Sequence, residues 1–397
     1  MKFRRATILF ASLLVLAWIV EAVRPTSAMP NFAQAYGVQC QTCHTVVPAL
    51  NSYGRYVQRT GYSSLDAKTI ERADPVWIGE NPTYDSSSGP EVQWGNLAIH
   101  AAGFIGNDWT FHLHQWVIQD GGAGTTDTLW VTYNNILHRD GHWFLGKIEA
   151  PAPSPFSQFF DLAAFAPPEI TVGEHTWPFD QNRWGSKIAY VKNWFTADVS
   201  YLGPNGDITG SGGAGDWSST TEKTFQYHLV DGPADKPVEF GIYGGVGTFP
   251  TSDGQVDKYN GAAGYVEADP QGWVPGGFAI YQHGYDSHPG VDPATGLPLS
   301  SATSTAFTAE VYEELFKQHV IVAYRNEYTN DGLGNLFHYN YINAAWMASQ
   351  HVGDRNANGL IVNLEASMNP LFNLPSGGPT WQGQIWYVTT IGGVNGK

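Results

Sequence analysis

The sequence predicts a mainly β chain: a small N-terminal segment followed by an antiparallel outer-membrane β-barrel of about sixteen strands. Three observations predict it. Apolar residues alternate with polar or small ones over segments of roughly ten residues between Glu91 and Ile391, the length and period of membrane-spanning strands. Charged residues are only 14% of the chain and aromatic residues an equal share, with 45 glycines; a soluble protein usually carries about a quarter charged residues. Both cysteines lie in one run near the N-terminus, Cys40-Gln41-Thr42-Cys43-His44.

Lys2, Arg4 and Arg5 precede an apolar stretch from Ala6 to Val20, and the small residues Thr26, Ser27 and Ala28 follow. This pattern predicts a secretory signal over residues 1–28. Glu21 and Arg24 close the apolar run too early for a retained membrane anchor. Cleavage removes four basic residues and one acidic residue, taking the formal net charge from −16 to −19. A chain so acidic excludes nucleic acid as a partner and gathers cations around itself.

Residues 29–75 read as short helices and coil, with a stop at Gly61-Tyr62. Within them Cys40–His44 matches the c-type haem attachment pattern: two thiolates bond the porphyrin vinyl groups and the next imidazole ligates iron. One covalent haem c is therefore expected on Cys40 and Cys43, with His44 as proximal ligand. The plain alternative is a lone disulfide followed by a chance histidine. With no third cysteine, one chain cannot build a four-thiolate zinc or iron–sulfur site. For the distal position Met29 ranks first, because Thr45 to Ile99 contains neither histidine nor methionine. A barrel histidine such as His100 or His112, Lys68, or an open position are the alternatives.

Residues 76–397 form the expected barrel. Val238, Phe240, Ile242 and Val246 alternate with Glu239, Gly241 and Tyr243; Leu360, Val362 and Leu364 alternate with Ile361, Asn363 and Glu365. Tight turns are expected at Gly106-Asn107-Asp108, His138–Gly141, Lys192-Asn193 and Phe316-Lys317, and long connections at Pro151–Gln181, Gly203–Lys223 and Asp286–Ser304. Counting from Glu91 gives about fifteen strands, the wrong parity and phase for a barrel with short periplasmic turns. One more strand near Val76–Gly79 repairs both. Trp109 and Trp116, Trp143 and Phe144, Trp194 and Phe195, and Trp386 and Tyr387 fall at strand ends, where membrane girdles sit. A soluble β-sandwich or jelly roll is the competing fold.

His112 and His114 share a strand face, and His138 and His142 flank a turn. Paired imidazoles suit a transition metal, yet lumen-lining polar residues are the commoner meaning. Glu239, Glu327 and Glu365 are expected to face inward, where oxygen ligands attract Fe(II) or simply hydrate the lumen.

Phe32-Ala33, Gly37, the Cys40–His44 run, Pro48-x-Leu50, Gly54-Arg55 and Gly61-Tyr62 resemble the haem segment of outer-membrane monohaem cytochrome c–porin fusions, the family of the iron(II)-oxidising outer-membrane cytochromes. Gln34 and Tyr53 depart from that pattern, where a basic residue and a phenylalanine are expected. The resemblance implies a bacterial outer-membrane electron conduit, with extracellular Fe(II) as donor, a periplasmic cytochrome c or similar carrier as acceptor, and membrane lipid around the barrel. Two other functions stay open: a conduit for a mineral, electrode or redox shuttle, and a diffusion porin with a cytochrome plug.

Overall fold

The computed structural model describes residues 30–38, 42–45, 49–85, 92–119, 122–153, 170–208, 213–218, 221–271, 274–315, 320–347, 359–368 and 380–391. The expected signal peptide, Met29, Cys40 and the Phe316-Lys317 turn lie outside them. Three short helices come first: α1 (Pro30–Tyr36), α2 (Ser52–Arg59) and α3 (Ala67–Ile70). Sixteen long strands follow: β1 (Val76–Asp85), β2 (Val92–Ile105), β3 (Trp109–Gln119), β4 (Thr126–Ile136), β5 (Gly141–Ile148), β6 (Arg183–Val191), β7 (Phe195–Leu202) and β8 (Lys223–Asp231), then β9 (Val238–Pro250), β10 (Val256–Ala268), β11 (Gly276–Asp286), β12 (Ala302–Leu315), β13 (Val320–Asn330), β14 (Leu336–Met347), β15 (Gly359–Met368) and β16 (Thr380–Ile391).

Every pairing is antiparallel, and all but one join neighbours in the chain, as hairpin connections require. β1 pairs with β2 on one side and with β16 on the other, Ile78 opposite Ile391, so the order of pairing is cyclic. β1 is the additional strand that parity and phase demanded. Residues 106–108, 137–140 and 192–194 join strands at one end of the sheet, and the strand ends joined by the long connections 149–182, 203–222 and 287–301 are at the other. Because β1 starts at the short-turn end, the N-terminal helices enter there.

The two-residue period of a strand sorts the side chains into two faces. On β9, Phe240 (60%), Ile242 (49%) and Val246 (56%) are exposed, whereas Glu239 and Tyr243 on the opposite face are buried. Ile188, Val199, Phe225, Tyr281, Val311 and Val322 extend that exposed apolar face around the sheet. A continuous apolar exterior of this size is unfavourable in water and suits lipid. Trp109, Trp143 and Trp194 are exposed beside the three short turns, as a girdle requires. Phe144 corrects the sequence reading: as the neighbour of Trp143 it must face the other way, and it is buried against Trp130. Among the described residues no helix is long and apolar enough to cross a membrane.

Elements from both ends pack against the inner face. A small hairpin, Thr171–Val172 with His175–Thr176, folds inward from the connection after β5. It brings Ile170, Val172, Trp177 and Phe179 against Tyr243, Tyr265, Phe278 and Ile280 of the wall. Trp177 fits there because Gly261 and Gly284 are register partners on β10 and β11, and a Cβ on either would stand 1.6 Å from its ring. From the short-turn end, Phe32, Val57, Tyr62 and Leu65 pack against Trp77, Trp130, Phe144 and Ile148.

The two-faced sheet predicts that unboiled protein will migrate differently from boiled protein in detergent electrophoresis. Ile242→Arg, on the outward face of β9, should lower the unfolding free energy by about 2–4 kcal/mol if it lies near the bilayer midplane. An unchanged unfolding midpoint in that variant would argue against a lipid-facing role for Ile242.

Candidate functional site

The Cys-x-x-Cys-His segment is described from Thr42 onward. His44 bridges Leu50, Thr45 N–H donates to Ala49 O at 3.0 Å, and Asn51 N–H donates to Cys43 O at 3.0 Å, so the run turns back as a narrow hairpin. Asn51 fastens that hairpin to α2. Its Oδ1 caps the helix by accepting from Gly54 N–H at 2.9 Å, and its Nδ2 donates to Thr42 O at 3.3 Å. Position 54 must be glycine, because a Cβ there would lie 2.0 Å from Cys43 O. Cys43 and His44 are both half-buried. The Tyr53 phenol beside them is raised above its ordinary range, chiefly by burial and then by the Cys43 thiol.

α2 carries this hairpin into the sheet on two arginines one turn apart. Arg55 Nε lies 3.0 Å from Glu239 Oε2, and its Nη1 lies 3.0 Å from both Glu267 Oε1 and Asp269 Oδ1. Arg59 reaches Glu239 Oε1 at 2.6 Å. Ser52 N–H donates to Asp269 Oδ2 at 2.7 Å. Burial works against the Arg55 cation, but Glu267, Glu239 and Asp269 together hold its guanidinium above its ordinary range, so it stays charged. After α2 the chain turns through Gly61 (φ +54°) and Tyr62 (φ +70°), where the sequence placed a stop. Tyr62 then meets the wall: its hydroxyl bonds His112 Nδ1 at 3.0 Å, and its ring lies 5.1 Å from that of Trp130.

The histidines singled out in the sequence do not converge on a metal. His114 Nδ1 is 2.9 Å from Asp127 Oδ2, and His112 Nδ1 is 3.4 Å from Glu149 Oε1. His142 bonds Asn134, and His138 is exposed at the tip of its turn. His100 stacks between Trp77 and His114, at 5.2 Å and 4.2 Å. Glu239 faces inward as expected and is neutralised by the two arginines; Glu327 lies 2.5 Å from Arg325. The side chain of Glu365 lies outside the described residues. The one group of metal-ligating type among the described residues is His175, Asp257 and Asp286, which the sequence reading missed. The histidine sits in a long connection, more than eighty positions from either aspartate, and no local spacing marks it.

The cyclic antiparallel pairing, the apolar outer face and the long connections at one end decide the fold. It is the fold of the outer-membrane porins. The chain is similar to Salmonella typhi OmpF, solved in complex with daunomycin, at 10% identity and TM-score 0.52, covering 80% of this chain and 97% of that one. It is also similar to the trimer form of OmpT, an outer membrane protein of Vibrio cholerae, at 10% identity and TM-score 0.52, covering 80% and 99%. No family model and no curated protein sequence matches the chain.

The arginine cluster fixes the N-terminal segment, and its loss should show. Arg55→Met leaves Glu267 and Asp269 buried without their cation, which is expected to cost about 3–5 kcal/mol. Limited proteolysis should then cut residues 30–75 while the strands stay resistant. Arg55→Lys should rescue only in part, since an ammonium lacks the fork that reaches three carboxylates. Equal protease resistance in wild type and Arg55→Met would refute the anchoring role.

Proposed function

We propose that the chain is an outer-membrane electron conduit: a closed porin-type barrel whose short-turn mouth is filled by its own N-terminal segment, with one covalent haem c. The observation that carries this reading is a juxtaposition. The Cys43-His44 hairpin rides on α2, and α2 is held inside the sheet by Arg55. The donor set fits the cofactor, since a thiol and an imidazole stand side by side, half-buried, on a braced hairpin. In this reading Cys40 and Cys43 form the thioether bonds, His44 is the proximal ligand, and Met29 is the proposed distal one. The haem supplies one-electron chemistry; the protein's part is position, ligation and exclusion of water.

Outer-membrane location is supported by the porin fold, the apolar exterior and the export signal. With short turns in the periplasm, as is usual for such barrels, the N-terminal segment faces a periplasmic carrier such as a cytochrome c. The inserted hairpin faces an extracellular donor. Fe(II) as that donor rests on the family resemblance and on the net negative charge, which gathers cations. Likeness to porins favours a second reading, a diffusion porin with a cytochrome plug. What favours the conduit is that both inserted elements pack into the interior.

Purified protein should retain haem after denaturation and solvent extraction, and Cys40→Ala or Cys43→Ala should weaken or abolish that retention. Fe(II) should reduce the haem optically, in a reaction that requires His44 and slows as salt screens the acidic surface. Extractable haem would reject the c-type attachment. Reduction by dithionite but not by Fe(II), from mildly acidic to neutral pH, would reject Fe(II) as donor and leave the other conduit and porin readings.

A further inference from the structure

At the long-loop end, opposite the N-terminal segment, the inserted hairpin meets the wall through charged groups. His175, Asp257 and Asp286 are all fully buried. His175 Nδ1 lies 2.6 Å from Asp286 Oδ1 and 3.5 Å from Asp257 Oδ2. Each aspartate has one oxygen held by protein donors and turns the other toward the imidazole. Asp257 Oδ1 accepts from His288 N–H at 2.8 Å and Ser287 Oγ at 3.1 Å; Asp286 Oδ2 accepts from Trp177 Nε1 at 3.2 Å. Asp257 Oδ2 is buried with no hydrogen-bond partner. A buried carboxylate oxygen without a donor is costly, so this atom points to a missing cation.

We propose that His175 Nδ1, Asp257 Oδ2 and Asp286 Oδ1 bind one divalent first-row transition cation, which fastens the inserted hairpin to strands β10 and β11. The donor set of one imidazole and two carboxylates is of borderline character and suits such a cation better than a purely oxygen-seeking one. One ligand atom from each of the three residues lies within 4.8 Å of the other two. Ligands about 2.0–2.2 Å from a shared ion stand roughly 3–3.5 Å apart, so small side-chain adjustments seat it.

The surroundings suit a bound imidazole. Its other nitrogen, Nε2, is buried 3.5 Å from Glu222 Oε1 without a hydrogen bond, and a small shift on metal binding would let that carboxylate accept the remaining N–H and fix the tautomer. Glu222 is itself held by Arg183 at 2.8 Å and by the Tyr259 hydroxyl. Protons are the competing occupants: one on His175 neutralises Asp286, and a second shared between Asp286 and Asp257 serves Asp257 Oδ2. A single cation satisfies both aspartates at once. The site uses no residue of the haem segment, so it stands apart from the conduit reading.

The test uses the full-length protein in detergent, stripped with chelator and titrated with Mn(II), free Mn(II) being counted by its electron paramagnetic resonance. One equivalent should bind, and pulsed measurements should show a ¹⁴N coupling that His175→Ala removes. Asp257→Asn keeps the shape and the contacts of Oδ1, and should weaken binding by more than about tenfold while leaving the heat-dependent gel shift intact. Asp292→Asn, on an exposed loop, should bind as wild type does. A wild-type complex lacking the ¹⁴N coupling would overturn the proposal even if every variant failed to fold. Binding by Asp257→Asn equal to wild type would overturn it as well.

Discussion

Backbone amides taken out of water must find partners within the protein, and here the constraint is met by letting the first strand pair with the last. Much of the rest follows. A cyclic sheet has no edge to shield, so its strands need no charged or proline-blunted margins. Its outer face carries Phe240, Ile242 and Val246 in the open, and its inner face receives polar residues such as Glu239, Glu267 and Gln282. The interior is thereby polar, and whatever fills it must bring matching charges or hydrogen bonds.

Two elements pack into it, by different physics. The hairpin after β5 is seated mainly by shape: the Trp177 indole occupies a slot left by paired glycines at 261 and 284. The N-terminal segment is seated by charge, with Arg55 spanning Glu239, Glu267 and Asp269. Buried ion clusters contribute little net stability compared with apolar packing, but removing one member leaves the others exposed to the full cost of desolvation. Such a cluster specifies position: only the α2 register that puts Arg55 and Arg59 on one face meets all three carboxylates. About fifty residues cannot bury a robust core of their own, so this segment depends on the wall for part of its stability.

Much of this was legible in the sequence because strand alternation is local. The exposed and buried faces of β9 can be written from Val238 to Val246, and parity alone called for β1. Gly61-Tyr62 was legible as a stop because few residues adopt a positive φ. What was hidden is long-range. Arg55 stood out only within a motif, and its partners lie 184 and 212 positions away, where nothing distinguishes Glu239 or Glu267 from other inward carboxylates. His175 was hidden for the same reason, whereas His112 and His114 drew notice through i,i+2 spacing and proved to be tied to Asp127, Glu149 and Tyr62. Phe144 was misplaced by reading two neighbouring aromatics as one girdle pair.

In the proposed conduit, the N-terminal segment and the inserted hairpin close the lumen of a porin-type barrel, so that electrons pass and solutes do not. Ion conductance of the full-length protein in planar bilayers tests it most directly. A closed lumen should give insertion with conductance far below that of an open barrel of the same strand number. Steady porin-sized conductance, with the N-terminal segment intact and in place, would contradict it.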